Sequence, residues 1–197
     1  MIKLKDILLE GKAPKIFIPR RMDNRVERMI SLYIRNGSKG NLDLSRMNLS
    51  VLPSILKNVN VEGYFDCSHN NLTSLENSPK SVNEFFDCGV NKLTTLEGGP
   101  KTVNRHYYCN TNQLTSLKGA PETVGGDFYC VNNKLTSLVG APKIVGGAFW
   151  FSYNKLTSLE GVPKVVGKDF YCIGNPGNFT EKDIRAVCDV KGLVTIG

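Results

Sequence analysis

The feature that most constrains this chain is a repeat of 21 residues that runs through most of its length. The block Leu-Thr-Ser/Thr-Leu recurs at this spacing, starting at Leu72, Leu93, Leu114, Leu135 and Leu156. An asparagine stands two residues before each block, at Asn70, Asn91, Asn112, Asn133 and Asn154, and Asn175 continues the series. One such unit cannot bury its apolar face alone, so a fixed short period predicts a solenoid of stacked units.

The cysteines follow the same period. Five of the six occupy one phase of the repeat, at Cys67, Cys88, Cys109, Cys130 and Cys172, and Phe151 fills the remaining place. A position that accepts Cys or Phe is an apolar core position, because free Cys behaves as a small hydrophobe. We therefore predict reduced, buried thiols, which indicate a reducing compartment such as the cytoplasm of the producing cell. The charges within the first ten residues also make a poor secretory signal.

Each unit carries one short segment with a period of two. An aromatic residue precedes each cysteine position by two, at Phe65, Phe86, Tyr107, Phe128, Phe149 and Phe170. Side chains alternate along a strand, so Phe128 and Cys130 face the interior and Tyr129 faces the opposite way. Stacked copies form a parallel sheet at about 4.8 Å per strand, and the leucines, valine and proline close the far side in extended or turn-like backbone. The asparagine amides bond buried backbone groups of neighbouring units.

These patterns divide the chain into four segments. We predict an N-terminal arm over 1–19, a helical N-terminal cap over 20–40, repeats over 41–178 in about seven rungs, and a C-terminal helical cap over 179–197. The helix of the C-terminal cap is predicted to end at Lys191-Gly192. The charge is uneven. Residues 1–40 hold ten Lys and Arg against four acids, whereas residues 41–197 hold fifteen against fourteen.

The outward positions of the predicted sheet form the candidate binding surface. Four consecutive units place an aromatic ring there, and exposed aromatic residues anchor interfaces. Stacked rings on neighbouring strands also stabilise a sheet, so both interpretations stay open. Two carboxylates extend the surface at an acidic end, which suggests a partner with basic and apolar patches. The candidate binding residues are Tyr108, Tyr129, Trp150, Tyr171, Tyr153, His106, Asp66 and Asp87.

The composition leaves little material for catalysis. His69 and His106 lie two rungs apart, roughly 10 Å between backbones, and no third metal ligand accompanies them. Cysteines face inward and histidines outward, so no Cys–His nucleophile forms. We expect no catalytic residue, no metal and no cofactor. The basic N-terminal segment is explained as a solvated helix face, so nucleic acid is not an expected partner. No apolar run reaches the roughly 20 residues of a membrane span.

The chain resembles the leucine-rich repeat family. The family pattern is L-x-x-L-x-L-x-x-N-x-L, and the segment Phe128-x-Cys130-x-x-Asn133-x-Leu135 supplies most of it, with Phe and Cys replacing two leucines. The repeat length is similar to the short bacterial repeats of pathogen effector proteins. The amino-acid sequence of the segment from Leu156 to Pro163 also resembles repeat proteins encoded by large bacteriophages.

The resemblance implies a leucine-rich-repeat solenoid with a parallel sheet on its concave face. It implies a non-enzymatic module that binds another protein through the concave aromatic face, in a bacteriophage-encoded and virion-associated setting. In that setting residues 1–19 dock the solenoid onto a larger assembly. Two alternatives stay open: a secreted effector-like module that recruits a host protein, and a carbohydrate-binding repeat protein.

Overall fold

The computed structural model describes residues 24–197, so the predicted arm over 1–19 lies outside the described residues. The helical elements are α1 (Asn24–Arg35), a 3-10 helix (Ser54–Leu56) and α2 (Glu181–Val187). The strands are β1 (Leu42–Asp43), β2 (Asn60–Val61), β3 (Phe65–Asp66), β4 (Ser81–Val82), β5 (Phe86–Asp87), β6 (Thr102–Val103), β7 (Tyr107–Tyr108), β8 (Thr123–Val124), β9 (Phe128–Tyr129), β10 (Ile144–Val145), β11 (Phe149–Trp150), β12 (Val165–Val166), β13 (Phe170–Tyr171), β14 (Asp189–Val190) and β15 (Val194–Thr195).

The repeat builds a solenoid with two parallel sheets. The first sheet has eight strands in the order β1-β3-β5-β7-β9-β11-β13-β15, and neighbours pair in register, as Phe128 with Phe149 and Tyr129 with Trp150. The second sheet has seven strands, β2 to β12 in even numbers followed by β14. The sequence predicted the first sheet but assigned the other side to extended and turn-like segments. The in-register valines there, such as Val145 beside Val166, pair as short strands.

The core follows the predicted alternation. The inward rings of β3 to β13 and the cysteine positions are fully buried or nearly so, at Phe65, Phe86, Tyr107, Phe128, Phe149, Phe170, Cys67, Cys88, Cys109, Cys130, Phe151 and Cys172. All six cysteines are free thiols, which confirms the prediction of buried, unbridged sulfur. The inward rings also stack from rung to rung. The ring centroids of Phe65 and Phe86 are 5.8 Å apart, and those of Tyr107 and Phe128 are 5.3 Å apart.

A ladder of buried asparagines holds successive rungs together. The amide nitrogen of Asn133 donates to the carbonyl of Cys130 in its own rung and of Cys109 in the preceding rung, both at 3.1 Å. Its Oδ1 accepts a hydrogen bond from the backbone N–H of Leu114 at 3.1 Å. The same pattern repeats at Asn91, Asn112 and Asn154. These amides satisfy backbone groups that would otherwise be buried without partners, as the sequence predicted.

Helices lie at both ends of the described solenoid. Val26 and Ile30 of α1 are buried in the same core as the first rung. At the other end, Thr180 and Asp183 form a reciprocal capping box, and Ile184 buries the inner face of α2. The sequence predicted a helix that continues to Lys191, but α2 ends at Val187. Neither helix is both long and apolar enough for a membrane span.

The short final helix has a structural cause. Cys188 is extended, and the chain then adds β14 to the second sheet and β15 to the first. The guanidinium of Arg185 donates to the carbonyls of Val190, at 2.6 Å, and Gly192, at 2.9 Å, which ties the helix to this return. The backbone N–H groups of Asp189 and Lys191 donate to the carbonyls of Lys164 and Val166, both at 2.9 Å, so β14 pairs with the last rung.

Candidate functional site

The register of the first sheet places the predicted rings side by side. The outward residues of β7, β9, β11 and β13 are Tyr108, Tyr129, Trp150 and Tyr171, and each is half-buried. Their inward partners on the same strands are fully buried. The inward and outward assignment made from alternation is therefore confirmed, and the one tryptophan of the chain lies outside the packed core.

These four rings contact one another in sequence. The ring centroids are 6.2 Å apart between Tyr108 and Tyr129 and 5.3 Å apart between Tyr129 and Trp150, with interplanar angles of 58° and 40°. Trp150 and Tyr171 are nearly parallel, with centroids 3.6 Å apart and 14° between planes. The rings form one connected surface that crosses four strands.

Two further rings extend this surface, and the sequence analysis did not include them in the site. Tyr64 and Phe85 stack with centroids 4.4 Å apart, and Phe85 meets Tyr108 edge-on at 5.9 Å. They stand one outward position earlier on their strands than the other four rings. The column of outward aromatic residues therefore begins at Tyr108, whereas the ring contacts cross to the neighbouring column. We call the six rings Tyr64, Phe85, Tyr108, Tyr129, Trp150 and Tyr171 the aromatic ladder.

The other predicted site residues are placed differently. His106 is not one of the six rings but contacts the ladder, because its ring is nearly parallel to that of Tyr108 with centroids 5.9 Å apart. Tyr153 does not join it. Tyr153 lies in the turn after β11 with φ of 56° and is 61% exposed, and its ring covers Gly174, where a Cβ would overlap it. Tyr153 is an exposed ring beside the ladder.

Asp66 and Asp87 occupy the ladder's central column before Tyr108, as predicted. Each carboxylate accepts a hydrogen bond from the backbone N–H two residues later, Ser68 at 2.8 Å and Gly89 at 2.7 Å. Burial raises the pKa of Asp87 to about 6, and the charge of Asp66 adds to this rise, while the bond from Gly89 opposes it. These carboxylates therefore hold the backbone at the end of the strand by hydrogen bonds, and they also place negative charge on the surface.

Two more carboxylates lie beside the later rings. Oδ1 of Asp127 accepts from the N–H of Ala148 at 2.8 Å, in the next rung, and Oδ1 of Asp169 accepts from the N–H of Leu193 at 2.8 Å. The Asp127 carboxylate fits because Gly147 has no Cβ, which would overlap it. Neither residue was predicted as part of the site.

His106 is bonded through its Nδ1. The backbone N–H of Asp127 donates to this nitrogen at 3.0 Å, and the same nitrogen lies 3.2 Å from the Asp127 carboxylate. Because an amide N–H has a fixed direction, we assign Nδ1 as an acceptor and place the imidazole proton on Nε2. On this assignment the contact between His106 and Asp127 is a hydrogen bond between adjacent rungs and is not an ion pair.

Nothing in residues 24–197 assembles three or more side chains that could hold a metal. Burial raises the pKa of the Cys67, Cys88 and Cys109 thiols, so these cysteines stay protonated and unreactive at neutral pH. A cleft of about 390 Å³ lies at the far end of the solenoid, between Cys172, Phe179 and Ile196, away from the ladder. The aromatic ladder lies on an open sheet surface, the form expected for contact with a macromolecule.

Comparison with known proteins identifies the fold. No protein-family model and no curated protein sequence matches the chain. The leucine-rich repeat domain of a Shigella effector superposes on it with a TM-score of 0.53 and 17% sequence identity, covering 87% of this chain and 86% of that one. At this identity the likeness concerns the fold alone. The chain therefore has the fold of a leucine-rich-repeat solenoid, built from stacked parallel strands with few helices.

Proposed function

We propose that this chain is a non-enzymatic interaction module that binds a partner protein through the aromatic ladder. The observation that carries the proposal is the unbroken run of six half-exposed outward positions, whose rings contact one another across the sheet. Aromatic side chains lose little conformational entropy on binding and dominate interface energies. A hydrogen-bonded sheet is already ordered, so little further ordering is needed when the partner docks.

The alternative is that the ladder only stabilises the sheet. Cross-strand ring contacts do stabilise sheets, and the ladder has them. The inward rings, however, supply a second continuous stack within the core, from Phe65 to Phe170. A stack on the solvent side is not needed to hold the rungs together, which favours an interaction role for the outward rings.

The test is capture of a partner by immobilised protein from extracts of the native source. The variant combines Trp150→Ala with Tyr129→Ala, and the matched control is Ile144→Ala, an exposed apolar residue on the second sheet. We expect the ladder variant to lose the captured protein while keeping the wild-type circular dichroism spectrum, and the control to retain it. Equal capture by all three proteins would contradict the proposal, and unfolding of the ladder variant would show that the rings are structural.

The biological setting is a further part of the proposal. We favour a bacteriophage-encoded protein of the reducing cytoplasm that enters a virion, with residues 1–19 as the docking arm. The resemblance of the repeat sequence to phage-encoded repeat proteins supports this setting. The alternative is an effector-like module that recruits a host protein, which the fold likeness to an effector domain supports. Mass spectrometry of purified virions separates the two, because only the first predicts the chain among virion proteins.

A carbohydrate ligand is the remaining alternative. It is favoured by the half-exposed Trp150 beside Tyr171, since indole and phenol rings suit the apolar faces of sugars. The two rings stack with centroids 3.6 Å apart, so one face of each ring is already covered and less ring surface is open to a sugar, which favours a protein ligand instead. Binding on a glycan array that disappears with Trp150→Ala would reverse this preference.

A further inference from the structure

The chemistry around the aromatic ladder selects one kind of partner, and this step rests on the proposed interaction function. We propose that the ladder receives a cationic segment of the partner, with an arginine side chain seated on Tyr108 between Asp87 and Asp127. The rings of the ladder are half-exposed on the sheet face, and the charges beside them determine what fits there.

The first support is the charge of this face. On each strand from β1 to β13 in the first sheet, the face comprises the outward residue of the strand and the residues two before and two after it. These positions contain no Lys or Arg but five aspartates, namely Asp43, Asp66, Asp87, Asp127 and Asp169. The whole chain carries a net charge of +7, so the ladder lies in an acidic region of a basic protein. Such a region attracts cations and repels phosphates.

The second support is the pairing of rings with carboxylates. Four strands each place one ring and one carboxylate two residues apart, on the same face, as Tyr64 with Asp66, Phe85 with Asp87, Asp127 with Tyr129, and Asp169 with Tyr171. Residues two apart along a strand are about 6.5 Å apart. A guanidinium is planar and carries donors along its edge, so it can contact a ring and bond a nearby carboxylate together.

The third support is the orientation of the rings. Neighbouring rings are nearly parallel at both ends of the ladder, with 11° between Tyr64 and Phe85 and 14° between Trp150 and Tyr171, so these pairs cover their own faces. Tyr108 is inclined to its neighbours in the ladder, by 72° to Phe85 and 58° to Tyr129. His106 lies nearly parallel to Tyr108, but their centroids are 5.9 Å apart, against 4.4 Å and 3.6 Å in the two end pairs, so His106 covers less of the Tyr108 ring. Inclined rings leave part of a face open, and a cation needs an open face.

The fourth support is the convergence of charge at Tyr108. Asp87 is its register partner on β5, and Asp127 precedes Tyr129 on the strand at its other side. After burial, the charges of Asp127 and Asp87 are the causes that raise the pKa of Tyr108, so both carboxylates act on this one ring. Within residues 24–197, neither carboxylate has a Lys or Arg nitrogen within 4.0 Å. Their charge is left for an external cation.

Arginine fits this site better than the other cations. A compact metal ion needs a cluster of ligands, and no such cluster exists in the described part of the chain. Lysine carries a more strongly hydrated point charge and lacks the planar stacking surface. The commitment is therefore to an arginine-bearing peptide, with lysine peptides as the weaker binders.

The experiment measures fluorescence anisotropy of labelled nona-arginine, nona-lysine and nona-glutamate titrated with the full chain. We expect binding of nona-arginine, weaker binding of nona-lysine and none of nona-glutamate. The test variant combines Asp87→Asn with Asp127→Asn, which removes two charges while keeping an oxygen that can accept from Gly89 and Ala148. Its affinity for nona-arginine should fall roughly fivefold or more.

The matched control removes the same charge elsewhere. Glu76→Gln with Glu160→Gln lies in the exposed turns of the far side, in one column of the repeat, and should bind like the wild type. Tyr108→Ala should weaken nona-arginine binding as well, and a thermal melt of each variant checks that the solenoid is intact. Equal affinity of the wild type and the Asp87/Asp127 variant, or comparable binding of nona-glutamate, would overturn the proposal.

The peptide titration and the partner capture can fail independently. If nona-arginine binds no better than nona-glutamate but partner capture still depends on Trp150 and Tyr129, the arginine site is wrong and the interaction face stands. If capture does not depend on the ladder rings, the proposed function fails irrespective of the peptide titration.

Discussion

At the scale of single residues, Tyr107 departs from its repeat. The equivalent inward position is Phe in the neighbouring rungs, and only Tyr107 brings a hydroxyl to this position of the repeat. Like the buried hydroxyl of Ser78, it has no hydrogen-bond partner within residues 24–197. The hydroxyl lies against Gly99, where a Cβ would be 3.1 Å from it. Other repeats carry Ser78, Ala120 or Ala141 at that position. The glycine therefore provides the space that the hydroxyl occupies.

This arrangement makes Tyr107→Phe a stabilising change. The variant removes a buried hydroxyl that makes no bond, so the free energy of unfolding should rise by about 1–2 kcal/mol. Urea denaturation followed by circular dichroism measures the shift in midpoint. The matched control is Tyr108→Phe on the same strand, whose half-exposed ring should leave stability unchanged. A loss of stability in Tyr107→Phe would mean that the hydroxyl has a partner in solution.

Asp87 predicts a pH dependence of stability. Its folded pKa is raised to about 6 from an ordinary value of 3.8, chiefly by burial, and the titratable groups beside it are Asp66 on β3 and Tyr108 on β7. The folded state therefore holds this proton more tightly than the unfolded chain. Its contribution to stability is present at low pH and is lost as pH rises through about 6.

The comparison with Asp87→Asn isolates this effect. The variant should be more stable than the wild type at pH 7.5, by on the order of 2 kcal/mol, and the difference should shrink as pH falls below 6 towards 4. Urea denaturation of both proteins at each pH provides the measurement. A difference that is constant across this range would show that Asp87 does not titrate there.

At the scale of elements, the asparagine ladder joins each rung to the next. Asn133→Asp replaces the donating amide by a carboxylate that faces the carbonyls of Cys109 and Cys130. A buried charge beside carbonyl oxygens should lower the free energy of unfolding by about 3 kcal/mol or more. Thermal and urea unfolding test this, and Asn132→Asp, the exposed neighbour, should change stability by less than about 0.5 kcal/mol. Similar losses of stability at both positions would contradict the role assigned to the buried asparagines.

Strand β9 separates core from surface within two residues. Phe128→Ala removes a fully buried ring and should lower the free energy of unfolding by about 3–5 kcal/mol. Tyr129→Ala removes only outward ring contacts and should lower it by less than about 1.5 kcal/mol. The two variants are compared by urea denaturation. The reverse order would mean that the two faces of the sheet are exchanged.

At the scale of the whole molecule, the solenoid protects its thiols. Cys67, Cys88 and Cys109 are fully buried with raised pKa values, whereas burial raises the pKa of Cys172 and Cys188, near the last rung, only to about 11. Under native conditions at pH 8 we expect iodoacetamide to label the central thiols only as fast as the solenoid unfolds. Mass spectrometry of labelled peptides should place the earliest modification at the C-terminal end. Rapid labelling of Cys109 would show that central rungs open independently.

Much of the fold could be predicted because the same pattern of core and surface residues recurs in each repeat. The phase shared by Cys130 and Phe151 identified the core, and alternation then placed Phe128 inward and Tyr129 outward. The second sheet was missed because each of its strands, such as Ile144–Val145, buries one apolar side chain, whereas the first sheet buries two at alternating positions, such as Phe128 and Cys130. The end of α2 was missed because a buried Cys188 fits a helix face as well as an extended return to the sheet.

The sequence by itself determined the period, the stacking and which side of each strand is dry, because these depend on local alternation that neighbouring copies reinforce. Only the tertiary structure decided which side chains meet across rungs. Tyr64 and Phe85 join the ladder one column away from Tyr108, and Asp87 and Asp127 converge on that ring from two different strands. Such contacts depend on register between residues about 20 positions apart and on ring orientation, and neither is encoded in the pattern of any single repeat.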